Sequence, residues 1–505
     1  MSVIRSVWTV LFAIFILFFS HTECFAEKDI VSPLQFGLLD AKTDQDRFWV
    51  LYKTHSEAKK THSKVVYESI DTIRIDIPKE SSPIPLTEWT DFGNTVFVVK
   101  NQVKDFCLFS LINESEEYNT SYCNIESKKR INDIGHFLLV VEDRIPWVQK
   151  REGFDYGHIR RDIVYVNNGK VEGNVIATYG TNSSNPFFLK VLVDEKVKSF
   201  KNIIFERDSN STYKTKLLSI KNQYNIKIGN VSIKTPPSVL FGDATIRLEN
   251  CYKVKINDVI IDGTYSQDNQ YGYGISMDNV SDVEIIRLKG NANWGIFGNN
   301  NVNNARLIEC DINRFDVHCY GRVVLFENCL FRNLYNQFSS MYGTVSFIKC
   351  EFYNCTPVLF ESSYNAYTTF DLVFNNCLIY ANKNNLSLIN GGDLYGKKTE
   401  GRKELEQQEY PNLYIDGLKV YLAQDVKKYY IYNFRRNLIQ WPKYNLPGIK
   451  RIKGLEIIPH NNYSISNLSD MIIIPTKIRA TLMWLVCISV VVHTMYRFRK
   501  KKNNF

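Results

Sequence analysis

The middle of the chain repeats a short apolar pattern. It stands in "IKIGNVSI" from Ile226, "VKINDVII" from Val254, "VEIIRLKG" from Val283 and "ARLIECDI" from Ala305. It continues in "VLFENCLF" from Val324, "VSFIKCEF" from Val345 and "LVFNNCLI" from Leu372, with weaker copies starting at Lys198, Leu413 and Lys450. In the aligned copies, positions three, six and eight are apolar nearly everywhere. Position six runs Ile203, Val231, Val259, Leu288, Cys310, Cys329, Cys350, Cys377, Leu418 and Leu455, at steps of about 19 to 41 residues. Apolar residues at positions one, three, six and eight describe two short strands meeting at a bend. One such coil cannot bury its apolar side alone. Stacked coils can, because each places like residue over like at about 4.8 Å. The pattern therefore predicts an all-β chain built on a right-handed parallel β-helix of about ten coils, roughly 45 Å long at that spacing. Asn and Gly at the bends fit, since both tolerate left-handed backbone angles.

The cysteine column at position six reads as a stack of small buried hydrophobes. Metal binding is the sharper alternative, but no Cys-x-x-Cys spacing supports it. Cys107 and Cys123, outside the stack, are the better candidates for a disulfide. Upstream, Asp44–Lys60 shows helical spacing in Phe48, Leu51, Tyr52 and Ala58, and strands follow in "IDTIRIDIP" and "NTVFVVKN". At the N-terminus, Arg5 precedes the apolar run Val7–Phe19, and a cut after Ala26 fits a secretory signal. Near the other end, Ala480–Tyr496 is largely apolar and is followed by "RFRKKK". That order matches a membrane helix with a cytoplasmic stop-transfer tail. The expected order is a signal peptide at 1–26, a cap with lead-in strands at 27–196, and the parallel β-helix at 197–470. A transmembrane helix at 480–496 and a basic cytoplasmic tail at 497–505 complete it. This arrangement places the body of the chain outside the cytoplasm, in a periplasm or on a cell surface, anchored by a single pass.

Composition changes this picture little. The chain has 505 residues and a formal net charge of +9. Part of that excess sits in the tail and serves membrane orientation, so it does not argue for a nucleic-acid partner. Asn-x-Ser/Thr sites occur, at Asn182 and Asn210 for example, but they mean glycosylation only on a eukaryotic secretory route.

A short Phe-Gly segment, a helix and then strands resemble the N-terminal approach of pectin-lyase-like β-helix proteins, where the helix plugs the open end of the core. "NANWGIFGNNNVNNARLIECDINRFDVHCYGRVVLFENC", Asn291–Cys329, resembles a segment of a poorly characterised bacterial and phage-associated β-helix group. In that group a Trp-Gly-Ile strand is followed one coil later by Arg-Phe-Asp-x-His. "PWVQKREGFDYGHIRRDIVYVNNGKV", Pro146–Val171, resembles the same group's approach to the coils. The likeness spans much of residues 32–390 and implies the fold and a bacterial envelope setting. The polygalacturonase set (Asn-Thr-Asp, Asp-Asp, Gly-His-Gly, Arg-Ile-Lys) does not stand here in order. Nor does the Arg-x-Pro-x-x-Arg of pectate lyases. The resemblance therefore implies no named pectinolytic activity.

The best candidate site is "INRFDVHCYGR". If Phe315, Val317 and Cys319 face the core, Arg314, Asp316 and His318 share the opposite, solvent-facing side. Asp278, two coils earlier, is expected in the same groove, within the carboxylate separation of inverting glycosidases. Asp316, His318 and Asp278 are the candidate catalytic residues, with His318 able to move protons near neutral pH. Arg314 and Arg322 would neutralise a uronate or phosphate. Asn293, Trp294, Tyr335 and Glu361 are candidate substrate contacts, and Tyr271 and Tyr273 candidate groove aromatics. The plain reading of Asp316 is an ion pair with Arg314 or His318. His158, Arg160, Arg161 and Asp162 form a second polar cluster, either lining the groove's end or making a capping ion-pair network. The functional expectation is a membrane-tethered protein acting on polysaccharide as hydrolase or lyase. The alternative is a noncatalytic carbohydrate-binding, structural or adhesion protein. The expected partner is a polysaccharide or glycoconjugate; cofactor use and oligomeric state stay open.

Overall fold

The structure is a computed structural model. It describes residues 29–120, 131–143, 159, 161–175, 186–234, 244–262, 273–291, 295–333, 335–338, 341–360, 370–391, 411–426, 429–434 and 449–460. The expected signal peptide, the helix at 480–496 and the basic tail lie outside these residues. Among the described residues no helix is long and apolar enough to cross a membrane.

Strands repeat three to a coil, and each pairs in parallel with its counterpart in the next coil. Val324–Glu327, Leu330–Arg332 and Tyr335–Phe338 pair respectively with Gly343–Ile348, Glu351–Tyr353 and Thr356–Phe360. The chain is thus an all-β parallel β-helix, as the repeat predicts. The bend lies at position five of the repeat, and its cause is visible residue by residue. Asn202, Asn230, Asp258, Arg287, Glu309, Asn328, Lys349, Asn376, Gly417 and Gly454 all have φ between 51° and 79°. This left-handed conformation costs ordinary residues about 1–2 kcal/mol, and Asn and Gly much less. Asn side chains also tie the corner along the axis, Asn230 Nδ2 donating to Asn202 Oδ1 at 2.8 Å and Asn94 Oδ1 at 3.1 Å.

Inside the coils, like stacks on like. Phe326, Phe347 and Phe374 stack with ring centroids 4.8 and 5.1 Å apart. Cys310, Cys329, Cys350 and Cys377 are buried free thiols at position six. Cys329 Sγ and Cys377 Sγ donate to the carbonyls of Leu307 and Phe347 in the preceding coil, at 3.4 and 3.3 Å. The column is therefore satisfied as core. Cys107 is likewise a buried free thiol, donating to Phe109 O at 3.0 Å. Cys123, its expected partner, lies outside the described residues.

The cap helix runs Asp44–Thr61, opened by a reciprocal Thr43–Asp46 capping box and closed by left-handed His62. It buries Phe48, Leu51, Thr54, His55 and Ala58 over the first coils. There His55 meets Phe109 at 5.6 Å between ring centroids, and Phe97 meets Phe109 edge-on at 5.6 Å. Each fully buried Phe or Leu contributes about 1.5–3 kcal/mol.

Parallel pairing reaches upstream of residue 197. Trp89–Lys100 pairs with Lys198–Arg207, and Cys107–Ile112 pairs with the start of Lys216–Lys234. Between these coils the chain forms a separate antiparallel sheet from Glu116–Glu117, His136–Asp143, Arg161–Asn167, Lys170–Glu172 and Pro186–Leu192. Leu138, Val140, Ile163, Tyr165 and Val191 pack on Tyr224 of the coils, and the Tyr165 and Tyr224 rings stack at 4.1 Å.

Candidate functional site

Phe315 and Val317 face the core, as alternation predicts. The side opposite is not a solvent face. Arg314 is 2% exposed and Asp316 0%, and only the His318 side chain, at 13%, reaches the surface. Asp316 Oδ1 accepts from Arg314 Nε at 2.6 Å and from the Gln337 backbone N–H at 3.3 Å. Asp316 Oδ2 accepts from the Tyr273 hydroxyl at 3.3 Å. Arg314 also donates to Gln337 Oε1 at 3.0 Å, and its guanidinium lies 4.5 Å from the centre of the Tyr335 ring. Burial works to lower the Arg314 pKa, but the Asp316 carboxylate prevails and raises it. The cation is thereby fixed.

Tyr273 comes from two coils earlier. It reaches Asp316 because Gly298 stands between them in the column Ser276, Gly298, Asp316, Gln337. A Cβ on Gly298 would lie 2.4 Å from the Tyr273 ring. The tyrosine therefore lies across a gap that only glycine leaves open. Its hydroxyl sits 2.9 Å from His318 Nε2, and Asp316 Oδ2 lies 3.5 Å from the same nitrogen. A carboxylate only accepts. With the phenol O–H donating to Asp316, the His318 tautomer that completes the chain carries its proton on Nε2 and donates to the phenol oxygen. The imidazole is oriented by a buried carboxylate partly through a tyrosine, an arrangement suited to proton transfer at the exposed ring.

Asp278 lies in a different column, aligned with Glu249 and Asn300 and two residues along the strand from Ser276. It pairs with Arg161 at 3.4 Å and accepts from Asn301 Nδ2 at 3.4 Å. It shares no described partner with Asp316, which stands in the Ser276–Gly298 column two positions back along the strand; the slip between Asn299 and Asn300 sets Cys319, not His318, beside Asn300. Burial raises the Asp278 pKa despite the Arg161 charge. For its neighbour Glu249, burial pushes upward, but Lys221 at 2.8 Å and Arg247 at 3.2 Å outweigh it and hold the carboxyl down. Arg161 belongs to the antiparallel sheet and also binds Glu142 at 3.1 Å. Asp162 is buried, and its carbonyl accepts from Asn279 Nδ2 at 3.4 Å. This cluster fastens the inserted sheet to the coils.

Arg322 lies against the segment after Lys170–Glu172, where its Nη1 donates to Val175 O. Tyr335 lies beneath Arg314. Asn293, Trp294, Glu361, Tyr271, His158 and Arg160 lie outside the described residues. Gly298 and Gln337 were not anticipated. A glycine in an outward column, one coil from a tyrosine, was the available signal for the first. Gln337 had none, since its main role is through the backbone. Among the described residues no group of three or more His, Cys, Asp or Glu side chains could hold a metal ion.

No protein-family model and no curated protein matches the chain. Among solved structures it is similar to the tailspike protein gp49 of Pseudomonas phage LKA1. That match has 12% identity and a TM-score of 0.48, covering 85% of this chain and 78% of that one. A second is the gp54 tailspike of Acinetobacter baumannii bacteriophage AP22, solved with A. baumannii capsular saccharide. It has 10% identity and a TM-score of 0.39, with coverages of 85% and 79%. A third is endo-xylogalacturonan hydrolase from Aspergillus tubingensis, at 9% identity and a TM-score of 0.34, with coverages of 86% and 93%. By its own strand order, three parallel ladders wound coil upon coil, this chain has a parallel β-helix fold.

Proposed function

We propose that the chain binds and cleaves a polysaccharide on the outer side of the coils around His318. One observation carries this reading: a partly exposed imidazole whose Nε2 is held at 2.9 Å by Tyr273, with fully buried Asp316 behind both. His318 is the group that exchanges a proton with substrate, Tyr273 relays and orients, and Asp316 acts through them. Arg314, spent on Asp316, is a positioning residue rather than a substrate clamp. With Asp316 inaccessible, the Asp316–Asp278 carboxylate pair is not the engine. Proton transfer by His318 serves either elimination from a uronate or hydrolysis.

The test is depolymerisation of a glycan panel by the purified chain, reading reducing ends and the ultraviolet absorbance of unsaturated uronates. His318→Ala is expected to lose about 10²-fold or more in rate with its fold intact. New absorbance identifies a lyase, and reducing ends alone a hydrolase. Full activity in His318→Ala refutes the assignment. The second reading is binding without turnover. It draws on the mutual neutralisation of Arg314 and Asp316, a pattern a purely structural staple also shows. Saccharide binding with no product from any glycan would establish it.

We also infer an extracytoplasmic, membrane-tethered location. It is supported by the apolar runs Val7–Phe19 and Ala480–Tyr496 and by the basic residues after the second. Protease added to intact cells should digest the coils; protection would overturn this.

A further inference from the structure

A cavity of about 170 Å³ lies where the segment after Lys170–Glu172 crosses a corner of the coils, with none of Tyr273, Arg314, Asp316 or His318 in its lining. Its floor is a column through successive coils: Tyr252, Ser281 and Asn303 in register, then Arg322. Beside that column stand Asp282 and Asn304, both left-handed at the corner, with φ 57° and 52°. Gly173 and Asn174 form the roof. Gly173 has φ 100°, and a Cβ there would come within 3.1 Å of the Tyr252 ring, so the roof passes this close only because it is glycine.

The walls are held in place by bonds among themselves. Asn303 Nδ2 donates to Asn174 O and Arg322 Nη1 to Val175 O, while Asn304 Nδ2 donates to Asp282 Oδ1 at 3.1 Å. Among the described residues these bonds leave much unspent. The Arg322 guanidinium keeps its other N–H donors, Asp282 its second carboxylate oxygen, and Ser281 and Tyr252 their hydroxyls. The cavity thus offers fixed donors and fixed acceptors side by side, next to an aromatic ring. Vicinal hydroxyls need this combination, each being donor and acceptor at once. The volume is below the roughly 300–1,000 Å³ of sites for drug-sized ligands and equals about six waters. It suits one ring rather than a chain. The cavity's two charged lining residues, Asp282 and Arg322, are opposite in sign, so it carries no net charge to favour an anionic sugar.

We propose that this corner cavity is a binding site for a single neutral hexopyranose residue, held through adjacent hydroxyls by Arg322 and Asp282 with Tyr252 at the ring. It is separate from the site at His318 and does not depend on turnover there.

The experiment is saturation-transfer NMR and calorimetry on the full chain with D-glucose, D-galactose, D-mannose and D-galacturonate. At least one neutral hexose should bind in the millimolar range, more tightly than galacturonate. Asp282→Asn and Arg322→Gln should each weaken it at least about tenfold, each removing a charged hydrogen-bonding partner. Asn is chosen at 282 because it tolerates the left-handed corner, so that variant stays folded even if Arg322→Gln loosens the roof. His318→Ala should leave this binding unchanged. The proposal is overturned if no neutral hexose binds, if galacturonate binds as well as galactose, if folded Asp282→Asn binds like the parent, or if His318→Ala abolishes binding. Loss of glycan cleavage in His318→Ala with hexose binding intact separates the two sites.

Discussion

Asp316→Asn removes one charge from a pair with no access to water. The carboxylate is 0% exposed, and the Arg314 side chain that donates to it at 2.6 Å is 3% exposed. Taking away one partner of a buried pair costs about 3–5 kcal/mol, because the other charge is left without compensation in a poorly solvating site. Asn keeps an oxygen that can still accept from Arg314 Nε, which returns about 1 kcal/mol. The expected loss is therefore about 2–4 kcal/mol. Urea unfolding followed by tryptophan fluorescence and circular dichroism measures it, with the slope of the transition checked against the parent. The double variant Asp316→Asn/Arg314→Met is the decisive control. With the stranded cation gone, it should recover most of the loss, so the two changes couple strongly rather than add. A single variant within about 0.5 kcal/mol of the parent would show that the pair is hydrated and weak, as exposed pairs are. The orienting role given to Asp316 would then fall with it.

Gly298→Ala should drive the Tyr273 ring off the column, since the new Cβ meets it at 2.4 Å. Expected are a loss of about 1–3 kcal/mol from overpacking and reduced turnover; a crystal structure with Tyr273 still on His318 would contradict this. Lys349→Asn should stabilise by about 1 kcal/mol, because Lys349 is left-handed at φ 51° between Asn328 and Asn376 in the corner column. An unchanged or lower unfolding midpoint would refute it. His55 is fully buried under the cap, bonded to the Tyr67 hydroxyl at 2.7 Å, and burial lowers its pKa to about 3. The unfolded value is near 6.5, so the neutral ring's contribution is fully present above that pH and is lost as pH falls toward the folded pKa. By pH 4.5 the loss is on the order of 3 kcal/mol. Protection factors of the amides in Asp44–Thr61, corrected for the intrinsic exchange rate at each pH, should fall steeply between pH 6.5 and 4.5, and much less in His55→Leu.

The fold was legible because its period is written in large residues. Position six of the repeat faces inward from Ile203 to Cys377, and no neighbouring element competes for that space. The cap helix was equally clear, since Phe48, Leu51 and Ala58 share one face. The site was legible only in part. Alternation tells which side of a strand a residue occupies, but not what lies over it. Arg314 and Asp316 do point away from the core, yet Tyr273 and Tyr335 from other coils lie against them. Asp278 was expected in one groove with Asp316, but it stands two positions along the strand from the Ser276–Gly298–Asp316 column and is taken up by Arg161 of the antiparallel sheet, which an apolar pattern does not reveal. The antiparallel sheet went unseen for a similar reason. "HFLLVVED" and "RDIVYVN" are buried on both sides, so they read as apolar runs without alternation.

The cap helix has a consequence for how copies of this chain behave toward each other. A coil at the end of a parallel stack presents a full row of main-chain donors and acceptors, a template on which a further strand can settle. The eighteen-residue helix Asp44–Thr61 lies over the first coils and denies that template to a second molecule. Its hold includes one neutral imidazole, so acid that loosens the lid also uncovers a growing end. Chains treated this way should associate through that end while their coils remain wound, and light scattering against pH would report the opening of the lid.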